Sequence, residues 1–218
     1  MPAPPRRTAR KPIPVTTVLL VRHGRTPTTG KRLPGQAPGL HLSEEGRAQA
    51  DRVAERIAAM PRPPVAVYAS PLERARETAG PIARALGLRV RRERDLIDLD
   101  VGSWEGMSLT RAARRPEWAT VQRWPSGFRF PGGESFAELA ARAGDAVLRL
   151  VAAHGGETIV AVSHADPIRA VLAVAAGVPV DLFQRLTVAP CSVSAVAYGP
   201  AGPRVLCMNV STDQLVAA

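Results

Sequence analysis

Short apolar runs alternate with longer segments of helical periodicity along most of this chain. The run TTVLLV at 16–21 is apolar on both of its faces, as expected of a strand buried inside a parallel sheet. VAVYAS at 65–70 and TIVAVS at 158–163 are similar runs, and helical patterns separate these runs from one another. Strands that alternate with helices predict an α/β fold, in which a parallel sheet is covered by helices on both faces.

Capping signals indicate where the predicted helices begin. Ser43 precedes two glutamates and an apolar pattern of helical spacing, so we expect it to be an N-cap. Ser70 followed by Pro71 predicts a second N-cap, because proline is favoured at the first position of a helix. Ser135 and Glu138 have the spacing of a capping box at the start of a third helix.

Three further features complete the predicted elements. Pro81 should kink or divide the second helix, because proline lacks a backbone N–H. The apolar runs at 192–198 and 204–210 predict a closing β-hairpin. Residues 95–134 are rich in tryptophan, proline and glycine. We expect them to be mostly loop, with a short helix at 109–114, and to form a lid or a wall of a site.

The length and the charge of the chain limit its organisation and its ligands. The chain has 218 residues, enough for one domain with a sizeable core, and a net charge of +10. Residues 1–15 are basic and rich in proline, so we expect a flexible leader followed by a single domain at 16–218. A basic domain suits an anionic ligand, either small phosphates or a nucleic acid, although a solvated arginine-rich surface would give the same charge. The few aromatic residues are scattered and form no stacking platform, so we expect no nucleic-acid partner.

The sequence predicts a cytoplasmic protein that needs no metal or cofactor. Cys191 and Cys207 are too few for a disulfide framework, and no spacing typical of a metal site surrounds them. The leader lacks the apolar centre of a signal peptide, and no apolar run is long enough to span a bilayer. We therefore expect no membrane partner.

Polar residues follow the predicted strands at the point where each strand ends. Arg22 and His23 follow the first strand, Ser70 ends the second with Arg74 one helical turn later, and His164 follows the third. In sheets of this kind, ligands bind beyond the carboxyl ends of the strands. A single histidine after a strand is more often structural than catalytic. We expect these arginines and histidines to form a functional site, because several strand ends bring them to one edge of the sheet.

This set of side chains suits a phosphate group. Two guanidinium groups match the nonbridging oxygens of a phosphate. A neutral imidazole nitrogen can attack phosphorus to form a phosphohistidine, while a second imidazole stabilises the charge on the phosphoryl group. Gly24 should leave room for the backbone to approach the ligand. The sequence therefore predicts a phosphate pocket with a nucleophile in it.

Five motifs, in the order in which they occur, resemble a known family. They are RHGRT, SPLERARET, LIDLDVGSWEG, PGGES and VSHADPIR. Together they are similar to the histidine phosphatase superfamily, in its phosphoglycerate-mutase-like branch, over roughly residues 16–212. Within the branch the chain is most similar to a poorly characterised group of phosphomutases or phosphatases. The resemblance implies a three-layer α/β/α sandwich with a mainly parallel central sheet, and chemistry that needs no metal.

The resemblance also implies a role for each residue of the predicted pocket. His23 would be the nucleophile that carries the phosphoryl group, and Arg22, Arg74 and His164 would complete the phosphate pocket. A general acid must protonate the leaving oxygen of the ester, and members of the family usually have glutamate for this purpose. Asp98 occupies that position here, and we assign the acid to it.

Other carboxylates compete for the role of the acid, because aspartate is one methylene shorter than glutamate. Asp100 and Glu105 lie in the same predicted loop, where each could simply order the loop. Glu134 in PGGES is a more serious competitor, and we also count it among the candidate substrate-binding residues. A role for Glu134 as a helix cap would explain its position equally well.

Two further departures from the family concern candidate substrate-binding residues. Thr29 stands where the family often has asparagine, and its hydroxyl can still donate to a substrate oxygen. Arg25 replaces a frequent glutamate or glutamine after RHG, so it adds positive charge at the mouth of the pocket. The alternative for Arg25 is an exposed arginine at the rim.

The sequence favours a phosphatase over two alternatives. Mutases of the family carry paired arginines in a longer inserted segment, and the arginines of the shorter segment here do not match that pattern: Arg114, Arg115, Arg123 and Arg129. We therefore expect hydrolysis of a small phosphorylated metabolite through a phosphohistidine intermediate. A phosphomutase that uses the same histidine is the first alternative, and a noncatalytic phosphate-binding protein is the second. The sequence leaves a homodimer open.

Overall fold

A computed structural model of the protein describes residues 14–211. The predicted leader at 1–15 lies almost wholly outside the described residues, and so do the last residues of the predicted domain, 212–218. The predictions for both termini therefore stay predictions. Within residues 14–211, no helix is both long and apolar enough to cross a membrane.

A six-stranded sheet forms the centre of the molecule, in the order β3-β2-β4-β1-β5-β6. Its strands are β1 (Thr16–Arg22), β2 (Ala66–Ala69), β3 (Val90–Arg92), β4 (Thr158–Ser163), β5 (Val193–Gly199) and β6 (Gly202–Val210). The first four strands run parallel to one another, whereas β5 is antiparallel to both β1 and β6. The predictions of a mainly parallel sheet and of a closing hairpin are confirmed.

Helices cover both faces of this sheet. The helices are α1 (Glu44–Ala58), α2 (Glu73–Ala85), α3 (Leu109–Ala112), α4 (Trp118–Arg123), α5 (Phe136–Ala153) and α6 (Ala165–Ala176). Leu19 and Val21 of β1 pack in the core beneath α1 and α2, whereas Val18 and Leu20 pack in the core beneath α5 and α6. β1 is apolar throughout because both of its faces are buried. The predicted three-layer α/β/α sandwich is confirmed.

Two of the three predicted helix caps are present. Oγ of Ser43 accepts a hydrogen bond from the N–H of Gly46 at 3.1 Å, at the start of α1. At the start of α5, Oγ of Ser135 accepts from the N–H of Glu138 at 3.2 Å, and the carboxylate of Glu138 accepts from the N–H of Ser135 at 2.9 Å. The predicted capping box is therefore formed in both directions.

The predicted N-cap of α2 is wrong. The helix begins at Glu73, its N-cap is Leu72, and the N-cap makes no side-chain hydrogen bond. Ser70 lies three residues before the helix, where its hydroxyl is bonded to the ring of His164 at 2.7 Å and accepts from the N–H of Leu72 at 3.4 Å. The serine at the end of β2 thus belongs to the site described below rather than to the helix.

The predicted division of α2 at Pro81 is also wrong, because the helix is continuous from Glu73 to Ala85, whereas the alternative of a kink at Pro81 stays a prediction. Proline removes one backbone hydrogen bond from the helix. Ala79 and Ile82 on either side of it are fully buried against the sheet. Packing of this face outweighs the lost bond, as is general for helices in proteins.

The segment 95–134 contains more helix than its composition suggests. α3 lies within the predicted helix at 109–114, but α4 is not among the predicted elements. The aromatic residues of the segment form a third core, in which the ring of Trp104 lies 5.3 Å from that of Phe130 and 6.3 Å from that of Trp118. Val121 and Trp118 attach α4 to this aromatic core.

Candidate active site

The carboxyl ends of β1 and β4 lie beside a cavity of about 230 Å³. β1 ends at Arg22 and β4 ends at Ser163, and these two residues are partners in the parallel ladder. Arg22 and His23 line the cavity, together with Asp98 from the loop after β3 and Asp166 from the first turn of α6. The cavity therefore lies at the edge of the sheet that the sequence predicts.

His23 has a ring nitrogen that is free to act as a nucleophile. Its Nδ1 lies 2.8 Å from the carbonyl oxygen of Gly24. Because a carbonyl oxygen can only accept, Nδ1 carries the proton and Nε2 keeps its lone pair. Burial lowers the pKa of His23 well below its usual value, and the nearby His164, Arg22 and Arg74 lower it further. The imidazole is therefore neutral at pH 7, which is the form that attacks phosphorus.

Gly24 is required by backbone packing against α1. A Cβ at position 24 would lie 2.5 Å from the carbonyl oxygen of Gly46, and a Cβ at position 46 would lie 2.0 Å from the carbonyl oxygen of Arg25. The N–H of Gly24 donates to Oγ1 of Thr78 at 3.0 Å. The small size of Gly24 therefore lets the loop after β1 lie against α1, and the prediction that it also leaves room for the ligand stays a prediction.

His164 lies beside His23, with the ring centroids 5.1 Å apart. Its Nε2 is 2.7 Å from Oγ of Ser70, and that Oγ also accepts from the N–H of Leu72 at 3.4 Å. Ser70 can therefore donate its own proton to Nε2, which leaves the proton of His164 on Nδ1. This Nδ1 is buried, lies 3.5 Å from Oδ2 of Asp98 and has no hydrogen-bond partner among the described residues. It is a donor that a ligand oxygen can use.

Two arginines supply buried donors for an anion. Arg74 is completely buried, and its Nη2 donates to Oδ2 of Asp98 at 3.0 Å and to the carbonyl oxygen of Gly35 at 2.8 Å. Nη1 of Arg22 donates to the carbonyl oxygen of Val188 at 2.6 Å. Within residues 14–211, Nε and Nη1 of Arg74 and Nε of Arg22 are buried and have no hydrogen-bond partner. Buried guanidinium donors without partners fit the oxygens of a phosphate group.

Asp98 is held in place through both its side chain and its backbone. Its Oδ1 accepts from the N–H of Leu99 at 3.0 Å. Its carbonyl oxygen accepts from the side chains of Gln36 and Arg142, at 2.9 Å and 3.3 Å. Burial raises the pKa of Asp98, although the neighbouring Arg74 opposes this effect. A positioned carboxyl group with a raised pKa is suited to donate a proton.

Thr29 lines the cavity as one of three threonines in the loop after β1. Its Oγ1 accepts from the N–H of Thr26 at 2.9 Å and lies 3.0 Å from Oγ1 of Thr26. Thr28 also lines the cavity, 3.3 Å from Oγ1 of Thr26. Of these three threonines, only Thr29 is among the candidate substrate-binding residues predicted from the sequence. The dense hydroxyls of TPTTG directly after RHGR are the signal that would have found the others.

Three charged residues line the cavity without a role assigned from the sequence: Arg32, Asp166 and Arg169. Nη1 of Arg169 donates to Oδ1 of Asp166 at 2.9 Å, and burial raises the pKa of Asp166. Nη1 of Arg32 donates to the carbonyl oxygen of Gly106 at 2.7 Å. The spacing of Asp166 and Arg169, one helical turn apart within VSHADPIR, is the signal that predicts their pairing.

Arg25 and Glu134 do not line the cavity. The side chain of Arg25 is half exposed, and its Nη1 lies 3.4 Å from Oε2 of Glu45 in α1, so Arg25 is a rim arginine. Glu134 accepts from the N–H of Asp100 at 2.9 Å and pairs with Arg142 of α5 at 2.6 Å. These contacts fix the loop against α5. These contacts do not support the assignment of Arg25 and Glu134 as substrate ligands, or of Glu134 as the alternative acid, and both assignments stay predictions.

The remaining acidic alternatives also lie outside the cavity. Oδ1 of Asp100 accepts from the N–H of Gly102 at 2.9 Å, which orders the turn. Glu105 lines a separate surface depression next to Arg32. Between residues 14 and 211, no group of three or more histidine, cysteine or acidic side chains could hold a metal ion.

Comparison with known protein families matches residues 18–211 to the histidine phosphatase superfamily, branch 1. The chain belongs to this superfamily. The resemblance on which the sequence analysis depends is thus confirmed over nearly the whole described chain.

The relatives and solved structures include several phosphatases. A bifunctional protein of Mycobacterium tuberculosis is 34% identical over 186 residues, which are 84% of this chain, and this chain spans about half (50%) of that protein's length. A metal-independent phosphoserine phosphatase of Arabidopsis thaliana is 38% identical over 162 residues, 72% of this chain and 67% of that protein. The structure of a mycobacterial glucosyl-3-phosphoglycerate phosphatase superimposes with a TM-score of 0.81 at 28% identity, covering 90% of this chain and 100% of that one.

Proposed function

We propose that this protein is a metal-independent phosphatase that hydrolyses a small phosphorylated metabolite through a phosphohistidine on His23. One observation carries the proposal: a neutral, buried His23 lies among buried guanidinium donors of Arg22 and Arg74 that have no protein partner. A nucleophile and an anion site in one place are what phosphoryl transfer requires.

In the first step, the lone pair on Nε2 of His23 attacks phosphorus, and the bond from phosphorus to the ester oxygen breaks. The protonated carboxyl group of Asp98 gives its proton to the leaving oxygen, which departs as an alcohol. The pKa of Asp98 is raised by burial, which favours the protonated form that this step needs.

In the second step, the Asp98 carboxylate takes a proton from water while the water oxygen attacks phosphorus. The bond from phosphorus to Nε2 breaks, so His23 returns to its neutral state and inorganic phosphate leaves. In both steps, Nδ1–H of His164 and the free donors of the two arginines stabilise the charge on the phosphoryl oxygens.

The positions of four arginines favour hydrolysis over the mutase alternative. Arg115 lies over the ring of Trp104, 5.0 Å from its centroid, and Arg129 is paired with Glu138. Neither of these nor the two others of the segment, Arg114 and Arg123, is among the residues that line the cavity. The noncatalytic alternative is disfavoured as well, because Asp98 lies in the cavity with His23.

The relatives support the proposed class of substrate. The names of the Arabidopsis relative and of the mycobacterial structure specify phosphoserine and glucosyl-3-phosphoglycerate, which are phosphate monoesters of small metabolites. We propose a small monoester as the partner of this chain, without nucleic acid or membrane. We also propose the cytoplasm as its location, because Cys191 and Cys207 form no disulfide among the described residues.

The test is to trap the covalent intermediate. The protein is mixed with a radiolabelled phosphate monoester, quenched in alkali to preserve phosphohistidine, and digested for peptide mapping. We expect the label on His23 at early times. His23→Ala should lose the label and at least about a thousandfold of kcat, the scale seen when a nucleophile is removed.

His41 provides the matched control. It is an exposed histidine that pairs with Glu77 away from the cavity, so His41→Ala should keep both the label and the rate. Normal turnover by His23→Ala, or turnover without a label on His23, would contradict the proposed mechanism.

A further inference from the structure

An apolar chamber of about 200 Å³ adjoins the catalytic cavity. Leu33, Leu109, Asp166 and Arg169 line both spaces, so the chamber and the cavity are immediate neighbours. Leu99, which directly follows the proposed acid, also lines the chamber. The chamber therefore lies next to the cavity that contains the proposed acid, Asp98.

Most of the chamber wall is hydrocarbon. Val101, Val121, Phe130 and Phe136 are buried residues of this wall, and the half-buried Trp118 forms part of it at the start of α4. The rings of Phe130 and Phe136 are 5.7 Å apart within the aromatic core of the segment 95–134. A wall fixed by such packing favours an apolar group that fills it, because filling it removes apolar surface from water.

The two charges in the chamber neutralise each other. Arg169 donates from Nη1 to Asp166 and from Nε to the carbonyl oxygen of Leu186, both at 2.9 Å. Gln122 and Gln184 supply the other polar groups of the wall. A carboxylate or a second phosphate placed there would lose its hydration. Arg169 would not offset this cost, because its charge is already balanced by Asp166.

We propose that this chamber binds the uncharged, apolar alcohol portion of a phosphate monoester, of about the size of one six-membered ring. This inference rests on the proposed phosphatase function and specifies its substrate class. An apolar cavity of about 150 Å³ is large enough to bind benzene. The chamber exceeds that volume and is smaller than the roughly 300 Å³ of the smallest sites for drug-sized ligands.

The experiment compares benzyl phosphate with ethyl phosphate and O-phosphoserine. Benzyl alcohol and ethanol are leaving groups of similar acidity, so the ratio of their kcat/KM values reports contacts in the chamber rather than the chemistry of departure. We expect benzyl phosphate to be favoured over both other esters by about tenfold or more, the discrimination that an apolar pocket provides.

Two neighbouring tryptophans give a matched pair of variants. Trp118 lines the chamber, whereas Trp124 is 60% exposed and lies outside it. Trp118→Gln should lower the benzyl-to-ethyl ratio at least about fivefold, and Trp118→Phe should retain most of it. Trp124→Gln should leave both rates and their ratio unchanged. Because both rates come from one preparation, a reduced folded fraction cancels in the ratio.

Two results would overturn the chamber proposal: a wild-type preference for phosphoserine or ethyl phosphate, and a ratio that Trp118→Gln leaves unchanged. Failure of the phosphatase function has a different signature, which is no phosphate release from any ester. In that case calorimetry with benzylphosphonate and methylphosphonate still tests the chamber. About tenfold tighter binding of benzylphosphonate supports the proposal, and equal affinity overturns it.

Discussion

Replacement of Asp98 by asparagine should separate the proposed acid catalysis from phosphate binding. Asparagine has nearly the same size, but it has no acidic proton to give to a leaving oxygen. The carboxylate accepts two hydrogen bonds, from the N–H of Leu99 and from Nη2 of Arg74, both at 3.0 Å. The amide has one oxygen and keeps one of them, so we expect it to lower the free energy of unfolding by about 1–3 kcal/mol.

The effect on catalysis should depend on the leaving group. A positioned general acid contributes about 10²–10⁴-fold, which corresponds to about 3–5 kcal/mol of transition-state stabilisation. Ethyl phosphate needs this proton because ethoxide is a poor leaving group, so Asp98→Asn should lower its kcat/KM by that factor. The p-nitrophenolate of p-nitrophenyl phosphate leaves without protonation, and its kcat/KM should fall by less than about tenfold.

Phosphate release is measured for both esters in the wild type, in Asp98→Asn and in Glu134→Gln. Glu134 supplies the matched control, because the same carboxylate-to-amide change is made at a residue that pairs with Arg142 and does not line the cavity. Circular dichroism at the assay temperature confirms that each variant is folded. Equal slowing of both esters in Asp98→Asn, or selective slowing of ethyl phosphate in Glu134→Gln, would refute the assignment of the acid.

Three further predictions concern stability and metal independence. In thermal unfolding, Gly24→Ala should lower the free energy of unfolding by about 1–3 kcal/mol, because the added Cβ meets the carbonyl oxygen of Gly46. Gly144→Ala lies in the interior of α5, where nothing lies within 4 Å of the added Cβ, so it should instead raise the free energy of unfolding by about 0.5–1 kcal/mol. Equal changes in stability for the two variants would contradict the packing argument. Burial lowers the pKa values of His23 and His164, so below about pH 6.5 the unfolded chain binds protons that the folded chain excludes. Stability should therefore fall as the pH is lowered from there, by up to about 1.4 kcal/mol per pH unit for each histidine, and a flat urea-unfolding stability between pH 7 and pH 5.5 would oppose this. Dialysis against EDTA should leave kcat/KM unchanged, because the acidic and histidine side chains of residues 14–211 form no ligand cluster; a loss restored by a divalent ion would contradict the mechanism.

The sheet and its catalytic edge are predictable because their signals are local and strong. A strand buried on both faces must be apolar throughout, and TTVLLV satisfies this because its alternate residues face two helical layers. The parallel arrangement then brings the ends of β1 and β4 together, with Arg22 and Ser163 in register. His23 and His164 each follow one of these ends, so their 5.1 Å separation follows from the topology.

Roles that depend on distant backbone contacts are not predictable in this way. Gly24 has a sequence context typical of a ligand-binding loop. The structure adds a reason that the sequence does not show, because a Cβ at this position would collide with the carbonyl oxygen of Gly46 in α1. Glu134 carries a carboxyl group of the kind that a general acid needs, but this group forms an ion pair with Arg142. The apolar chamber combines the loop after β1, the segment 95–134 and α6, and no single stretch of sequence indicates that these segments share a wall.

Asp98 shows how such distant contacts compensate for a local departure from the family. Its side chain is one methylene shorter than the usual glutamate, so its reach depends on where the loop is held. Gln36 and Arg142 both bind its carbonyl oxygen, and Arg74 links its carboxylate to the carbonyl oxygen of Gly35. The loop is thus fixed from both sides, with the carboxylate 3.5 Å from His164. We propose that a shorter acid can serve here because both its backbone and its carboxylate are held beside the proposed phosphate site.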